Sequence, residues 1–288
     1  ANINLTEDVK LRLSASSGLS RPTYSEIRAS EAIDPIDIDP DAAEGTPSFE
    51  VSGGNPGLDP EESYGVDVSL EWYFADASLL SIGAYHRRID NVIYPGSTEI
   101  SGVNFAPIAP GLIDATDVGT FNSFFNGEDG ELTGFEINFL GTAEDWLPEP
   151  LDGLGASGNV AFVDSEFTAP TLGNQTFSLP GTSETIYNAS IFYEKFGISA
   201  RLNYQYRDDW LSTTENDSLT EFWAETERVD ASLRYTLPNP VYGTNVTFAL
   251  NGNNLTDERD VRFINRRATP NQVEGFGRRW VASVRVDF

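Results

Sequence analysis

The chain has a single histidine, His86, and no cysteine, so imidazole chemistry must pass through one residue and thiol chemistry, disulfides and zinc knuckles are closed. His86 sits at the same parity as Leu80, Ile82 and Ala84, on an apolar face rather than in a polar constellation. Adjacent acids such as Glu61 with Glu62 and Asp208 with Asp209 have the chemistry of a general acid and base, but neighbouring carboxylates in loops read as solvated charge. Asp37, Asp39 and Asp41 have a D-x-D-x-D spacing that offers oxygens to calcium. The glycine an EF-hand needs next is Ala42, and the twelfth position is Ser48 instead of Glu, so a solvated acidic loop is the plainer reading. GLGASG at 153–158 satisfies the dinucleotide fingerprint, yet LPEPLD precedes it and strand-like NVAFVDSEF follows, which suits a turn and strand. No motif implies a catalytic residue, a metal or a cofactor.

The elements that must carry these residues show up as a period of two. In the closing stretch GRRWVASVRVDF, Trp280, Ala282, Val284, Val286 and Phe288 alternate with Arg279, Ser283, Arg285 and Asp287. The same alternation recurs around Val246–Leu250, Val229–Leu237, Ile198–Tyr206, Tyr187–Tyr193, Leu154–Phe162, Phe135–Phe139, Leu80–Ala84, Val66–Phe74 and Val9–Ala15. That makes about ten two-faced strands, each near the roughly 9–11 residues that cross a bilayer obliquely. No helix signature is visible.

The net charge of −27, from 45 acidic and 18 basic residues, repels phosphate backbones, so nucleic acid is excluded as a partner. Apolar runs fall short of the roughly 18 residues a spanning helix needs, and the mean hydropathy is −0.31. A membrane β-barrel keeps such an average because lipid-facing and lumen-facing side chains alternate. The connections run long, short, long, short: 20–62, 75–77, 95–130, 141–153, 166–183, 194–197, 208–225, 238–244 and 255–276. Short periplasmic turns and long extracellular loops give this asymmetry, which a soluble sandwich has no reason to adopt. The expected fold is an all-β, antiparallel transmembrane β-barrel with both termini on the periplasmic side, and residues 1–288 are one barrel segment. Methionine is absent even at position 1, which suggests an excised or mature segment.

Several segments resemble the TonB-dependent outer-membrane receptors, in particular their Xanthomonas/Caulobacter-type branch. They include LSASSGLSRPTYSEI at 13–27, GNPGLDPEESYGVDVSLEWYF at 54–74, LLSIGAYHRRIDNVIY at 79–94, ELTGFEINF at 131–139, PEPLDGLGASGNVAFVDSEF at 148–167, NNLTDE at 253–258 and the closing strand. The resemblance implies the C-terminal part of a 22-stranded barrel in the outer membrane of a Gram-negative bacterium. It also implies a plug domain and earlier strands that these residues do not include. The implied function is energy-coupled uptake of a scarce nutrient, an oligosaccharide or a ferric siderophore, without enzyme activity. Implied partners are outer-membrane lipid, the periplasmic transducer TonB through the missing N-terminal part, the barrel-assembly machinery and a small extracellular ligand.

The parity then sorts candidate site residues. Asp67, Glu71, Arg87, Glu136, Arg201, Arg207, Asp230, Arg234, Arg279, Arg285 and Asp287 are expected to face the lumen. Trp280, Val284, Val286 and Phe288 form the expected assembly signal. Trp72, Tyr73, Phe74, Tyr94, Tyr193, Tyr206, Trp210, Tyr235 and Trp280 suit the membrane interfaces. Phe121, Phe124, Phe125, Phe222 and Trp223 lie farther out in the loops and are candidates for ligand contact, with loop packing as the alternative. Two other classes stay open: a self-contained ten-stranded barrel acting as a surface protease, with His86 facing an acidic partner at the rim, or a passive porin.

Overall fold

A strand that alternates apolar and polar residues must bury or solvate two unlike faces, and a wide antiparallel sheet gives all of them a common pair of faces. The computed structural model, which describes residues 1–35, 47–214, 220–241 and 243–287, contains such a sheet. Its ten long strands are Val9–Ser20, Glu61–Ala75, Ser78–Asp90, Gly130–Thr142, Leu154–Ala169, Thr185–Lys195, Ile198–Arg207, Thr226–Thr236, Asn245–Asn253 and Arg279–Asp287. Each pairs antiparallel with the next, as the alternation requires. The short strand Asn2–Asn4 lies on the outer edge of the first, and Gln175–Phe177 folds back on the end of the fifth. The sheet is open: Arg279–Asp287 pairs only with Asn245–Asn253, and the first and last strands do not meet among the described residues.

The short connections are tight. Phe196 and Gly197 both have positive φ, 55° and 77°, the two-residue turn whose twist matches the flanking strands. A Cβ at Gly197 would lie 2.4 Å from the Thr236 carbonyl oxygen, so this turn needs glycine on two counts. GLGASG lies in a 3-10 turn, Leu151–Gly153, and the first residues of a strand, with no helix after it.

The long connections are not structureless. Glu31–Pro35, Phe49–Gly53, Val118–Asn126 and Ile93–Ser101 form one four-stranded sheet, in which Phe49–Ser52 runs parallel to Gly119–Asn122. Trp210–Thr214, Thr220–Trp223, Asp260–Ile264 and Pro270–Glu274 form another. The alternation had not marked these strands, since most are four or five residues long. One helical turn, Tyr24–Ile27, also departs from the helix-free expectation; it is nucleated where the Glu26 carboxylate accepts the Thr23 N–H at 2.5 Å, a capping box. No helix among the described residues is long and apolar enough to cross a membrane, which says nothing of crossing by strands.

The buried apolar residues gather in this loop layer. Val92, Tyr94, Phe167, Ala169, Leu172, Leu179 and Leu211 form one core, and Phe49, Val51 and Ile113 another. The middle of the long sheet has no such core: its apolar side chains stand exposed, among them Val68, Leu70, Ile82, Leu202, Leu250 and Val284.

Candidate functional site

The register fixes which side chains share a face. Leu11, Leu70, Ile82, Ile137, Val160, Tyr187 and Tyr206 stand opposite one another across seven consecutive strands, an unbroken apolar or aromatic row. One residue along, Lys10, Glu71, Ser81, Asn138, Asn159, Asn188 and Gln205 make an unbroken polar row on the other face. On Glu61–Ala75 the apolar residues from Val66 to Trp72 are exposed, while Asp67, Ser69 and Glu71 between them are partly shielded. On this strand the polar side is the shielded one.

All eleven charged residues singled out by parity lie on this polar face. Arg12 grips Glu71 with two parallel bonds, Nε to Oε1 at 2.5 Å and Nη2 to Oε2 at 3.0 Å, and the Tyr73 hydroxyl donates to Glu71 at 2.7 Å. Asp67 accepts from Arg87 and from Ser14, both at 3.0 Å. Arg201 lies over the Phe192 ring at 4.8 Å and 4.0 Å from Glu194. Arg207 donates to Ser183 Oγ at 2.8 Å and to the Gly181 carbonyl at 2.6 Å. Asp230 accepts the Asn254 N–H at 2.8 Å, and Arg285 pairs with Asp287 at 2.8 Å. Glu136, Arg234 and Arg279 make no side-chain hydrogen bond or ion pair among the described residues.

The parity of charge alone missed the carboxamides. Asn138, Asn159, Asn188, Asn203, Gln205 and Asn251 share the polar face with the charged set. The signal was present in the same alternation, because each is flanked by apolar or aromatic residues of the opposite face.

The loop aromatics are brought into packed layers. Phe121 packs on the Phe49–Val51 core, and Phe125 packs on the core of Tyr94, 6.3 Å from that ring. Phe222 stacks on Phe263 at 5.4 Å. Trp223 lies between Trp210, at 6.0 Å, and the Arg262 guanidinium, at 4.2 Å, so both its faces are covered. Trp210 is covered in turn by Arg207 at 4.5 Å. Phe124 alternates with the core-facing Ser123 and Phe125 and lies on the opposite face of its strand. Three of the expected interface aromatics are corrected here. Tyr94 is fully buried, Trp210 is in the four-layer stack, and Tyr73 turns to the polar face toward Glu71. Loop strands extend beyond the long sheet, so a ring just past a strand end meets protein there. At the short-turn end Trp72, Phe74, Phe139 and Trp146 do cluster, Phe74 lying 5.4, 6.1 and 6.3 Å from the other three rings.

His86 projects on the apolar face, and its Nδ1 lies 2.9 Å from Thr133 Oγ1; that partner is a hydroxyl, not the carboxylate a protease would need. Asp208, Asp209 and Glu225 bring carboxylate oxygens within 4.8 Å of one another. Arg267 reaches into this group, 3.0 Å from Asp209 and in contact with Glu225, and its bond to Asp209 holds the guanidinium above its ordinary pKa. The side chain already supplies the positive charge such a cluster demands. In NNLTDE, Asn254 adopts φ 53°, its Oδ1 accepts the Glu258 N–H at 2.8 Å, and its Nδ2 donates to the Glu258 carbonyl at 3.0 Å. This turn half-buries Glu258, and burial pushes its carboxyl above the usual carboxylate range. Asp37, Asp39, Asp41 and Phe288 lie outside the described residues.

Residues 1–255 match the family model for the TonB dependent receptor-like β-barrel. Comparison with curated protein sequences returns no significant match. Among solved structures, the fold resembles the ferric enterobactin receptor PfeA of Pseudomonas aeruginosa, at 16% identity over 99% of this chain and 39% of that one, with a TM-score of 0.64. It also resembles the siderophore receptor PirA of Acinetobacter baumannii, at 12% identity over 100% of this chain and 40% of that one, with a TM-score of 0.64. The copper transporter OprC aligns at 12% identity over 100% of this chain and 38% of that one, with a TM-score of 0.60. The chain thus spans about two-fifths of the length of these structures.

Proposed function

The chain belongs to the TonB-dependent receptor β-barrel family, whose barrels reside in the outer membrane, and from that premise we propose that it forms part of the wall of an energy-coupled importer of a scarce extracellular nutrient. The observation that carries this reading is the division of one wide sheet into an apolar face and a polar one, with all the long connections at one end. In this reading the apolar face meets lipid and the polar face lines the lumen, against a plug supplied by another part of the protein. That part also engages TonB. The apolar set Trp280, Val284 and Val286, with Phe288, serves as the signal read by the barrel-assembly machinery.

Cargo capture belongs to the loop layer. Loop 91–129 carries Glu99, Asp114, Asp117, Glu128 and Asp129 and no lysine or arginine, whereas in loop 208–225 Asp209, Glu221 and Glu225 are matched by Arg262 and Arg267 of the last loop. The acidic excess of loop 91–129 disfavours an anionic ferric complex and favours a neutral glycan. Of the five rings expected to meet the ligand, Phe124 is the one on a strand face turned from the loop cores, and it is the ring we assign to the ligand. The open sheet and the hydroxyl partner of His86 weigh against a self-contained porin or protease.

Uptake by cells expressing the full-length protein tests the reading. Labelled maltodextrins and ferric siderophores should be offered to cells with and without a working TonB. Import that is lost in cells without a working TonB supports it; a channel that conducts in planar bilayers without TonB overturns it.

A further inference from the structure

Two stretches of the polar face differ in chemistry. On Val9–Ser20, Glu61–Ala75 and Ser78–Asp90 its charged groups satisfy one another: Arg12 and Tyr73 on Glu71, Ser14 and Arg87 on Asp67. In the middle of the same face, from Gly130–Thr142 to Ile198–Arg207, lies a strip of neutral groups, and charges return on Thr226–Thr236 and Arg279–Asp287. Asn138, Asn159, Asn188 and Gln205 stand opposite one another on four consecutive strands, and Ser157, Ser190 and Asn203 form the next row. Each carboxamide has two donor hydrogens and an oxygen with two lone pairs. Within these rows a single side-chain hydrogen bond forms among the described residues, from Asn188 Nδ2 to Asn159 Oδ1 at 3.1 Å. Ser190 Oγ is buried with no partner. The rows border a hollow of about 330 Å³, and across Asn203 a second hollow of about 360 Å³ is lined by Ser232, Asn251 and Asn253 together with the charged Asp230 and Arg279, which end the neutral strip. Charges border the strip without interrupting it. Glu136 and Arg201 lie two residues away along their strands, and Asp230 opposes Asn203 while accepting the Asn254 N–H.

A wall whose groups satisfy one another has little to offer a passing molecule. A wall of unmet neutral donors and acceptors must be filled by water or by another hydrogen-bonding surface, and it exchanges those partners cheaply because no charge has to be desolvated. We propose that the carboxamide strip from Asn138 to Asn203 is the hydrated side of the lumen, along which an uncharged, hydrogen-bonding cargo crosses the barrel. The self-paired stretch from Val9–Ser20 to Ser78–Asp90 is the side held against the plug. This rests on the receptor reading above, which supplies the lumen and the plug but does not say which side of the wall is wet.

The chain has no cysteine, so single thiols report cleanly within it. In the full-length protein in intact outer membranes, Asn188→Cys, Asn203→Cys and, on the self-paired stretch, Ser69→Cys would be reacted with a small charged methanethiosulfonate added from outside. Folding of each variant is checked by the heat-dependent gel migration of a closed barrel. Thiol reactivity follows solvent access, so Asn188→Cys and Asn203→Cys should react at least about tenfold faster than Ser69→Cys. Equal protection at all three positions, or faster reaction at Ser69→Cys, overturns the proposal and means that polypeptide packs on the strip. Fast reaction at all three would show an unplugged lumen, and would sink the receptor reading together with the proposal.

Discussion

The Tyr94 hydroxyl accepts the backbone N–H of Thr171 at 3.1 Å and lies 2.9 Å from the Thr171 hydroxyl, a link between two long loops made by a side chain with no exposure. A few residues away the buried Thr214 hydroxyl donates to the Pro95 carbonyl at 3.1 Å, which brings in a third loop. The loops after Ser78–Asp90, Leu154–Ala169 and Ile198–Arg207 are therefore one packed layer around Tyr94, Phe167, Leu172 and Leu211.

Tyr94→Phe keeps the ring and removes the oxygen, leaving the Thr171 N–H buried without its acceptor. Such a loss costs about 1–3 kcal/mol. Hydrogen exchange should quicken over 93–96 and 170–177 while the long strands keep their protection. Unchanged exchange at Thr171 would show that water or another acceptor replaces the phenol.

Trp223 has one face on Trp210 and the other under Arg262. Trp223→Ala should loosen the sheet of Trp210–Thr214, Thr220–Trp223 and Asp260–Ile264, removing stacking worth about 0.5–1.5 kcal/mol beyond the area buried. Limited proteolysis would reveal this as faster cutting within 208–225, with Phe124→Ala, outside the stack, leaving the cutting rate unchanged.

Glu258 titrates above the usual carboxylate range because it is partly buried in the Asn254 turn. The sign follows from linkage: a folded-state pKa above the unfolded one gives stability that is present at low pH and is lost as pH rises through the raised value. Local protection of the turn amides should therefore fall on going from acid to neutral pH. Glu258→Gln should abolish that fall, becoming more protected than the native chain at neutral pH and equal to it in acid.

The ten long strands could be read from the sequence because one physical rule, unlike solvents on the two faces, acts on every second residue. His86 illustrates its reach: parity alone put it with Ile82 and Ala84, and the register sets it opposite Val66 and Thr133. The loop sheets obey no such rule. Phe49 and Val51 pair parallel with Gly119–Phe121, and a contact made so far along the chain leaves no local period. For the same reason Phe222 and Trp223 resembled free aromatics until their partners Phe263, Trp210 and Arg262 were brought beside them. The carboxamide rows lie between these cases. Alternation gives each residue its face, but only the pairing of four strands sets Asn138, Asn159, Asn188 and Gln205 side by side.

The face assignment also predicts an asymmetry between neighbours. Val68→Arg puts a guanidinium on the apolar face and should destabilise the folded barrel by about 2–4 kcal/mol at mid-membrane depth. Ser69→Arg, one residue along on the polar face, should cost far less. Urea titration of the full-length protein refolded in phospholipid vesicles compares the two; equal costs would mean that the faces do not meet different solvents.

The most direct measurement is a spin-label scan from Tyr64 to Tyr73 in the full-length protein reconstituted in bilayers, recording relaxation by dissolved oxygen and by a water-soluble nickel chelate. Oxygen access is expected at Tyr64, Val66, Val68, Leu70 and Trp72 and its loss at Gly65, Asp67, Ser69, Glu71 and Tyr73, a strict period of two. A flat profile, or nickel access greatest at Val66, Val68 and Leu70, would contradict a membrane-spanning wall and with it the receptor reading.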